Sequence, residues 1–346
     1  MGDAALAPKE HLLITFMRDL APDQLEEIKA KFPGLEVSSV TLKRGEDIPS
    51  ELAKKASYIV TFTNLPKPED AGNIKFIHFL SAGLDHAIQH PIFKETAIPL
   101  TSSSGVHAPP IAEWTVMNWL VHTRKYAYMY EGQKKHEWRD SNSGYFQGVH
   151  DQVGKRVGIL GYGSIGRQTS PRPTPSSRHD NGFIVPNTGD KEGTIPISWH
   201  HGTDKASIRE FLALGLDHLV ISLPLTPQTT HLLGAEEFAL LAASQGSKGA
   251  KPYLTNISRG KVLDQEALIG ALKSGDLSGA ALDVTDPEPL PAGHPLWDAP
   301  NVQISPHVSS LGVEYFPRSL DIVKENVGRV KRGEELLNVY KRGKGY

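Results

Sequence analysis

The 346-residue chain contains no cysteine. That excludes disulfides, thiolate metal sites and a cysteine nucleophile, and it fits a reducing compartment. Charge of one sign is lacking too: 37 Lys and Arg stand against 39 Asp and Glu, for a formal net charge of −2. Such a balance offers no basic field for nucleic acid or an anionic membrane. No apolar run approaches the ~18 residues of a membrane-spanning helix. The opening MGDAALAPKEHLL lacks a basic stretch followed by a long apolar one, so it does not read as a secretory signal. Gly2 invites myristoylation, but Leu6 stands where Ser or Thr is wanted. The closing KRGKGY carries no retention or peroxisomal signal. A soluble cytoplasmic protein is expected, with no nucleic-acid partner, no membrane partner and no metal.

What the chain does have is alternation. HLLITFM (11–17), ASYIVTF (56–62) and IKFIHFLS (74–81) predict strands, and APDQLEEIKAKF between the first two predicts a helix. TSSSGVHAPP (101–110) predicts a hinge-like loop, followed by one long helix over IAEWTVMNWLVHTRKYAY that is buried on more than one side. A domain boundary falls near it. From 153 onward, strands are predicted at RVGILG, DHLVISLP (217–224), KPYLTNIS (251–258), SGAALDV (278–284) and NVQISPH (301–307). Helices are predicted between them at SIREFLAL (207–214), AEEFALLA (235–242) and DQEALIGALKSG (264–275), the last ended by glycine. Strands alternating with helices imply a doubly wound parallel sheet.

The stretch GILGYGSIGRQ sets Gly161, Gly163 and Gly166 directly after an apolar strand, in the spacing of a dinucleotide fingerprint. Gly161 permits the tight turn, Gly163 lets the backbone approach a pyrophosphate, and Gly166 lets helix and strand pack closely. Ser164 and Ile165 would supply amide donors from the helix start. Then SPRPTP intervenes: Pro171, Pro173 and Pro175 stop the helix after little more than one turn. The crossover helix and second strand that should follow are not legible. GFIVP (182–186) and TIPISW (194–199) are weak strand candidates within an irregular span, 169–204. Asp180 lies near the offset of a ribose-binding acid but follows a proline-rich loop, so it is read as solvated. Arg172 or Ser170 is the better candidate, and Arg172 would favour a 2′-phosphate and hence NADP; a solvated loop cation is the equal alternative.

Three further motifs carry chemistry. NISRGKVLD puts Arg259 just past a strand, where ligands of open α/β sheets bind. ALDVTDPEPLP puts Glu288 past the next strand, and ISPHVSS puts His307 past the last. An arginine can hold a carboxylate by two hydrogen bonds. A histidine can pass a proton near neutral pH, with a carboxylate behind it to orient the ring.

With SAGLDH (81–86), SSGVHAPPIAEW (103–114), SLPLTPQTTHLL (222–233) and GEELLNV (333–339), these motifs resemble the D-isomer-specific 2-hydroxyacid dehydrogenase family, glyoxylate/hydroxypyruvate reductases included, across nearly the whole chain. The resemblance implies an NAD- or NADP-dependent oxidoreductase, with NADP favoured, acting between a small 2-keto acid and its D-2-hydroxy acid. It implies a substrate domain of residues 1–104 and 320–346, flavodoxin-like, and a Rossmann-type NAD(P)-binding domain of residues 105–319, with the active site between them and a homodimer as the assembly. Arg259 would bind the substrate carboxylate, His307 would be the acid/base, and Glu288 would hydrogen-bond its ring. Amides at Ala82 and Gly83 would help hold the carboxylate. Leu223, Pro224 and Thr229 match the wall beside the adenosine half, and Ile257 and Asp283 match positions near the nicotinamide. Leu223 and Ile257 read strongly as plain core residues as well, and Asp283 also reads as a strand-end cap. The departure is that Gln168 runs almost directly into SPRPTP, so the family's next helix and second strand are missing. A silent relative without a complete cofactor site is therefore the alternative.

Overall fold

The computed structural model describes residues 9–84, 87–140, 142, 144–146, 149–168, 182–202, 204–244, 246 and 249–342. These fall into two compact units, Met1–His107 with Val313–Tyr346, and Ala108–Gly312.

In the first unit, β1 (His11–Phe16), α1 (Pro22–Lys31), β2 (Glu36–Thr41), α2 (Ser50–Lys55), β3 (Tyr58–Thr61), β4 (Phe76–Phe79), α3 (Pro91–Glu95) and β5 (Leu100–Ser102) follow one another along the chain. The strands are parallel in the order β2-β1-β3-β4-β5, the flavodoxin-like arrangement. Successive side chains of a strand point to opposite faces, and both faces here are covered. Leu13, Ile59, Ile77 and Phe79 join one apolar cluster, while Leu12, Ile14, Tyr58, Val60 and Phe76 join another. Leu320, Val323 and Val327 of the helix Tyr315–Arg332 belong to that second cluster. Burial on both sides is why these strands read as continuous apolar runs. EVSSVT (36–41) and LTS (100–102) form strands without such runs, and TSSSGVHAPP is less of a loop than expected: its start completes β5 and its end opens a helix.

In the second unit, α4 (Ala108–Thr123), α5 (Tyr126–Lys134), β6 (Val157–Leu160), α6 (Lys205–Leu212), β7 (His218–Ile221), α7 (Ala235–Ala243), β8 (Tyr253–Asn256), α8 (Gln265–Ser274), β9 (Gly279–Leu282) and β10 (Val302–Ile304) precede α9, the helix Tyr315–Arg332 of the first unit. The sheet is parallel, in the order β10-β9-β8-β7-β6. Leu212, Phe238, Leu268 and Leu272 from α6, α7 and α8 pack on one face with Leu219, Ile221, Leu254 and Leu282. Ile111 and Trp114 of α4 pack on the other with Val157, Ile159 and Val220. The sheet is thus doubly wound. Asp204 and Asp264 accept the amides of Ser207 and Ala267 at 2.9 and 3.0 Å, fixing the starts of α6 and α8. Gly275, at φ +76°, ends α8.

The single long helix expected after residue 110 is two helices, because Lys125 takes a left-handed conformation (φ +58°) between α4 and α5. Nor is α4 buried on several sides. Ala108, Ile111, Ala112, Thr115 and Asn118 are covered, whereas Val116, Met117 and Leu120 are exposed. β6 pairs directly with β7, Val157 opposite His218. Neither GFIVP nor TIPISW forms a strand, and among the described residues no strand lies beyond β6.

Three covered or partly covered histidines have strongly lowered pKa values. His78 Nδ1 and Nε2 meet the hydroxyls of Thr101 and Ser103 at 2.9 and 3.0 Å, and burial pushes its pKa down to about 3. His218 Nε2 meets the Thr255 hydroxyl at 2.8 Å, and burial, with a contribution from His122, pushes its pKa down to about 3. His122, stacked on Tyr253, falls to about 4 through burial and Lys125. Each ring is neutral when folded and regains its ordinary value of 6.5 when unfolded. Between those values the unfolded chain binds more protons. Folding stability is therefore full above pH 6.5 and falls on acidification, by up to about 1.4 kcal/mol per pH unit for each ring. Urea midpoints measured from pH 7.5 down to pH 5 should decrease, and less steeply in His78→Gln; a flat profile would count against buried neutral rings.

Candidate active site

Because β6 to β10 are parallel, the residues that follow each strand gather along one edge of the sheet. In spatial order they are the glycine turn after β6, Leu223 after β7, Arg259 after β8, Glu288 after β9 and His307 after β10.

His307 Nδ1 lies 2.6 Å from Glu288 Oε1, with both side chains about two-fifths exposed (43% and 41%). The imidazole therefore has a carboxylate on one nitrogen while remaining open to solvent. His307 sits at φ +56°, an unusual conformation for a residue with a Cβ. Asp283, 2% exposed, holds the loop in that shape. Its carboxylate accepts Ser305 Oγ at 2.6 Å, the Val308 amide at 2.9 Å and the Ser309 amide at 3.1 Å, together with the Ser309 hydroxyl. Its own carbonyl accepts the His307 amide at 2.9 Å.

The loop carrying Arg259 is templated by Asn256, the last residue of β8. The Asn256 side chain accepts the Ser258 amide and hydroxyl at 3.1 and 2.9 Å and donates to the Arg259 carbonyl at 3.0 Å. The Arg259 guanidinium is partly buried and donates to the Ser258 carbonyl at 2.8 Å. Gly260 follows, and a Cβ there would lie 2.0 Å from the carbonyl carbon of Thr285. Only glycine allows the loop after β8 to meet the loop after β9, which carries Glu288.

The glycine turn fits a pyrophosphate. Gly161 takes φ +92°, and a Cβ on it would strike the Ser222 carbonyl at 2.7 Å; one on Gly166 would strike the Gly161 carbonyl at 2.4 Å. Gly163 is exposed, and its missing Cβ would meet nothing within 4 Å. Its backbone face is open where a phosphate would approach. Ser164 and Ile165 complete the turn, Ile165 packing towards Ile111 and Val220. Among the described residues, the turn leads into a single 3-10 turn, Gly166–Gln168. Leu223 packs half-buried on the core, Ile257 is covered beside Ile111 and Val220, and the Thr229 hydroxyl donates to the Pro224 carbonyl at 2.7 Å. Ser170, Arg172 and Asp180 lie outside the described residues. Ala82 and Gly83 belong to the first unit, in the bend after β4, where the Ser81 hydroxyl donates to the Gly83 carbonyl at 2.8 Å.

Residues 182–202 carry no regular element, and Asp190 secures them to the glycine turn. Its carboxylate, 4% exposed, accepts the Tyr162 hydroxyl at 2.9 Å and the amides of Thr194 and Ile195 at 2.7 and 2.9 Å. Its carbonyl accepts Arg167 at 2.9 Å. Burial alone would raise the Asp190 pKa, but those hydrogen bonds outweigh it and hold the group below the ordinary value. No pattern in the sequence marks Asp190, and its role emerges only from these contacts.

The family model described as D-isomer specific 2-hydroxyacid dehydrogenase, NAD binding domain, matches residues 116–309. The chain belongs to that family, whose members are NAD(P)-dependent oxidoreductases. It is 33% identical over 264 residues to a glyoxylate reductase of Thermofilum pendens, covering 76% of this chain and 74% of that protein. It is 32% identical over 248 residues to glyoxylate/hydroxypyruvate reductase B of Yersinia enterocolitica, covering 70% of each. Among solved structures, it resembles a D-isomer specific 2-hydroxyacid dehydrogenase of Xanthobacter autotrophicus Py2 in complex with NADPH and MES (TM-score 0.70, 26% identity, 98% of this chain and 100% of that one). It also resembles an NADPH-dependent glyoxylate/hydroxypyruvate reductase of Sinorhizobium meliloti in complex with NADP and sulfate (TM-score 0.69, 27% identity, 98% and 100%).

Replacing Asp190 with Ala should lower stability by about 2–4 kcal/mol, because it leaves several donors around the glycine turn without an acceptor. Trp199, whose ring meets Tyr162 edge-on at 5.0 Å, reports the change. Red-shifted emission together with a lower urea midpoint is expected, and wild-type values of both would refute the role of Asp190.

Proposed function

We propose that the protein reduces a small 2-keto acid, of the glyoxylate or hydroxypyruvate type, to its D-2-hydroxy acid, with NADPH preferred over NADH. The observation that carries this is the His307–Glu288 pair at 2.6 Å, on loops adjoining that of Arg259. NADPH, when bound, supplies the hydride that reaches the keto carbon. Arg259 holds the substrate carboxylate by a two-pronged contact, helped by the Ala82 and Gly83 amides. His307 Nε2 donates the proton that turns the carbonyl oxygen into a hydroxyl, and takes it back in the reverse direction. Glu288 accepts a hydrogen bond from Nδ1–H and so keeps Nε2 directed at the substrate. The turn of Gly161, Gly163, Ser164, Ile165 and Gly166 receives the pyrophosphate. Leu223, Pro224 and Thr229 flank the adenosine half, where Arg172 would meet a 2′-phosphate, and Ile257 and Asp283 border the nicotinamide. Glycine turn and acid/base pair together favour the active enzyme over a silent relative. NADP in the related structures supports the cofactor preference. A second copy of the chain is the proposed protein partner, seated on the exposed apolar side of α4, and the cytoplasm is the proposed location.

His307→Asn should cut turnover by about 10²–10⁴-fold, the usual worth of a general acid, while NADPH still quenches tryptophan fluorescence at wild-type concentrations. Arg259→Lys should raise KM about tenfold or more, because an ammonium cannot make the two-pronged contact. Normal turnover in the first variant, or an unchanged KM in the second, would overturn the assigned role.

A further inference from the structure

Gln265, the first residue of α8, has both ends of its side-chain amide engaged. Its amide oxygen accepts the Asp286 amide at 3.1 Å, and its amide nitrogen donates to the Asp286 carbonyl. A carboxamide is the side chain that can offer one acceptor and one donor to the same peptide unit's residue. Asp286 stands two residues before Glu288, in a loop otherwise shaped from within. There the Thr285 hydroxyl donates to the Pro287 carbonyl at 3.0 Å. Gly260 contributes close contact with Thr285 but no hydrogen-bonding side chain. The other end of the clamp is rigid: Asp264 caps α8 at the Ala267 amide, 3.0 Å away, and Leu268 and Leu272 anchor that helix in the core.

We infer that Gln265 is a positioning residue for Glu288: by gripping the Asp286 backbone from α8 it sets where the carboxylate meets His307. The inference rests on the proposed acid/base reading of that pair. Without the grip, the loop can shift while the fold persists, and displacement of a catalytic group by even a fraction of its hydrogen-bond length is costly. The substrate anchor, Arg259, is held by Asn256 and Ser258 instead, so substrate affinity should be spared.

The test uses the full chain carrying Gln265→Met, Glu288→Gln or His307→Asn. An imidazole bound to a carboxylate gives a downfield Nδ1–H proton resonance, assigned here by its loss in His307→Asn and read without cofactor or substrate. That resonance should vanish in Glu288→Gln and move upfield or broaden in Gln265→Met, with kcat of the latter down about tenfold and KM within twofold. Gln265→Glu keeps the acceptor but not the donor and should lie between Met and wild type; it carries the same comparison if Gln265→Met does not fold. A wild-type resonance and kcat in the Gln265 variants, with the signal lost in Glu288→Gln, would overturn the positioning role alone. A resonance unchanged in Glu288→Gln would overturn the pair, and this inference with it.

Discussion

The buried carboxylate of Asp283 is the fixed point from which the candidate active site is built. It ends β9, reaches across to the loop after β10, and gathers the Ser305 hydroxyl, the Val308 amide and the Ser309 amide and hydroxyl. A nearly covered carboxylate is tolerable only when so fully hydrogen-bonded. The same bonds oblige the intervening residue, His307, to take a left-handed backbone. The imidazole is therefore presented to solvent by a buried carboxylate on the neighbouring strand's end, and its partner Glu288 lies in the loop that begins with Asp283.

Much of this was legible in the chain itself. Parallel strands covered on both faces leave apolar runs, and β1, β3, β4, β7, β8 and β9 all carry them. GxGxxG, Arg259, Glu288 and His307 were legible because strand-end chemistry follows from topology. β2 and β5 were not: EVSSVT and LTS hold too few apolar residues to announce a strand, and they form because neighbours supply the pairing. The break at Lys125 was hidden as well, since its left-handed backbone has no glycine to signal it. Residues that act through others, Asn256, Gln265 and Asp190, leave no pattern, because a side chain that shapes a distant backbone is identified only by where that backbone lies.

The proline-rich interruption has a definite structural cost. Among the described residues no strand pairs with the outer side of β6, so β6 ends the sheet, and Val157 and Ile159 are only half-buried where the β7 to β9 strands are wholly covered. An edge of this kind needs protection from pairing with other chains. Asp190 ties residues 190–195 to the glycine turn that follows β6, through Tyr162 and Arg167.

The contact between Gly260 and Thr285 has a consequence for how the protein could change. Where two loops touch with no room for a methyl group, any side chain at position 260 would have to push the Thr285 turn aside. On the proposed roles of Arg259 and Glu288, a residue larger than glycine there would disturb the turn of the substrate anchor and that of the acid/base partner at once.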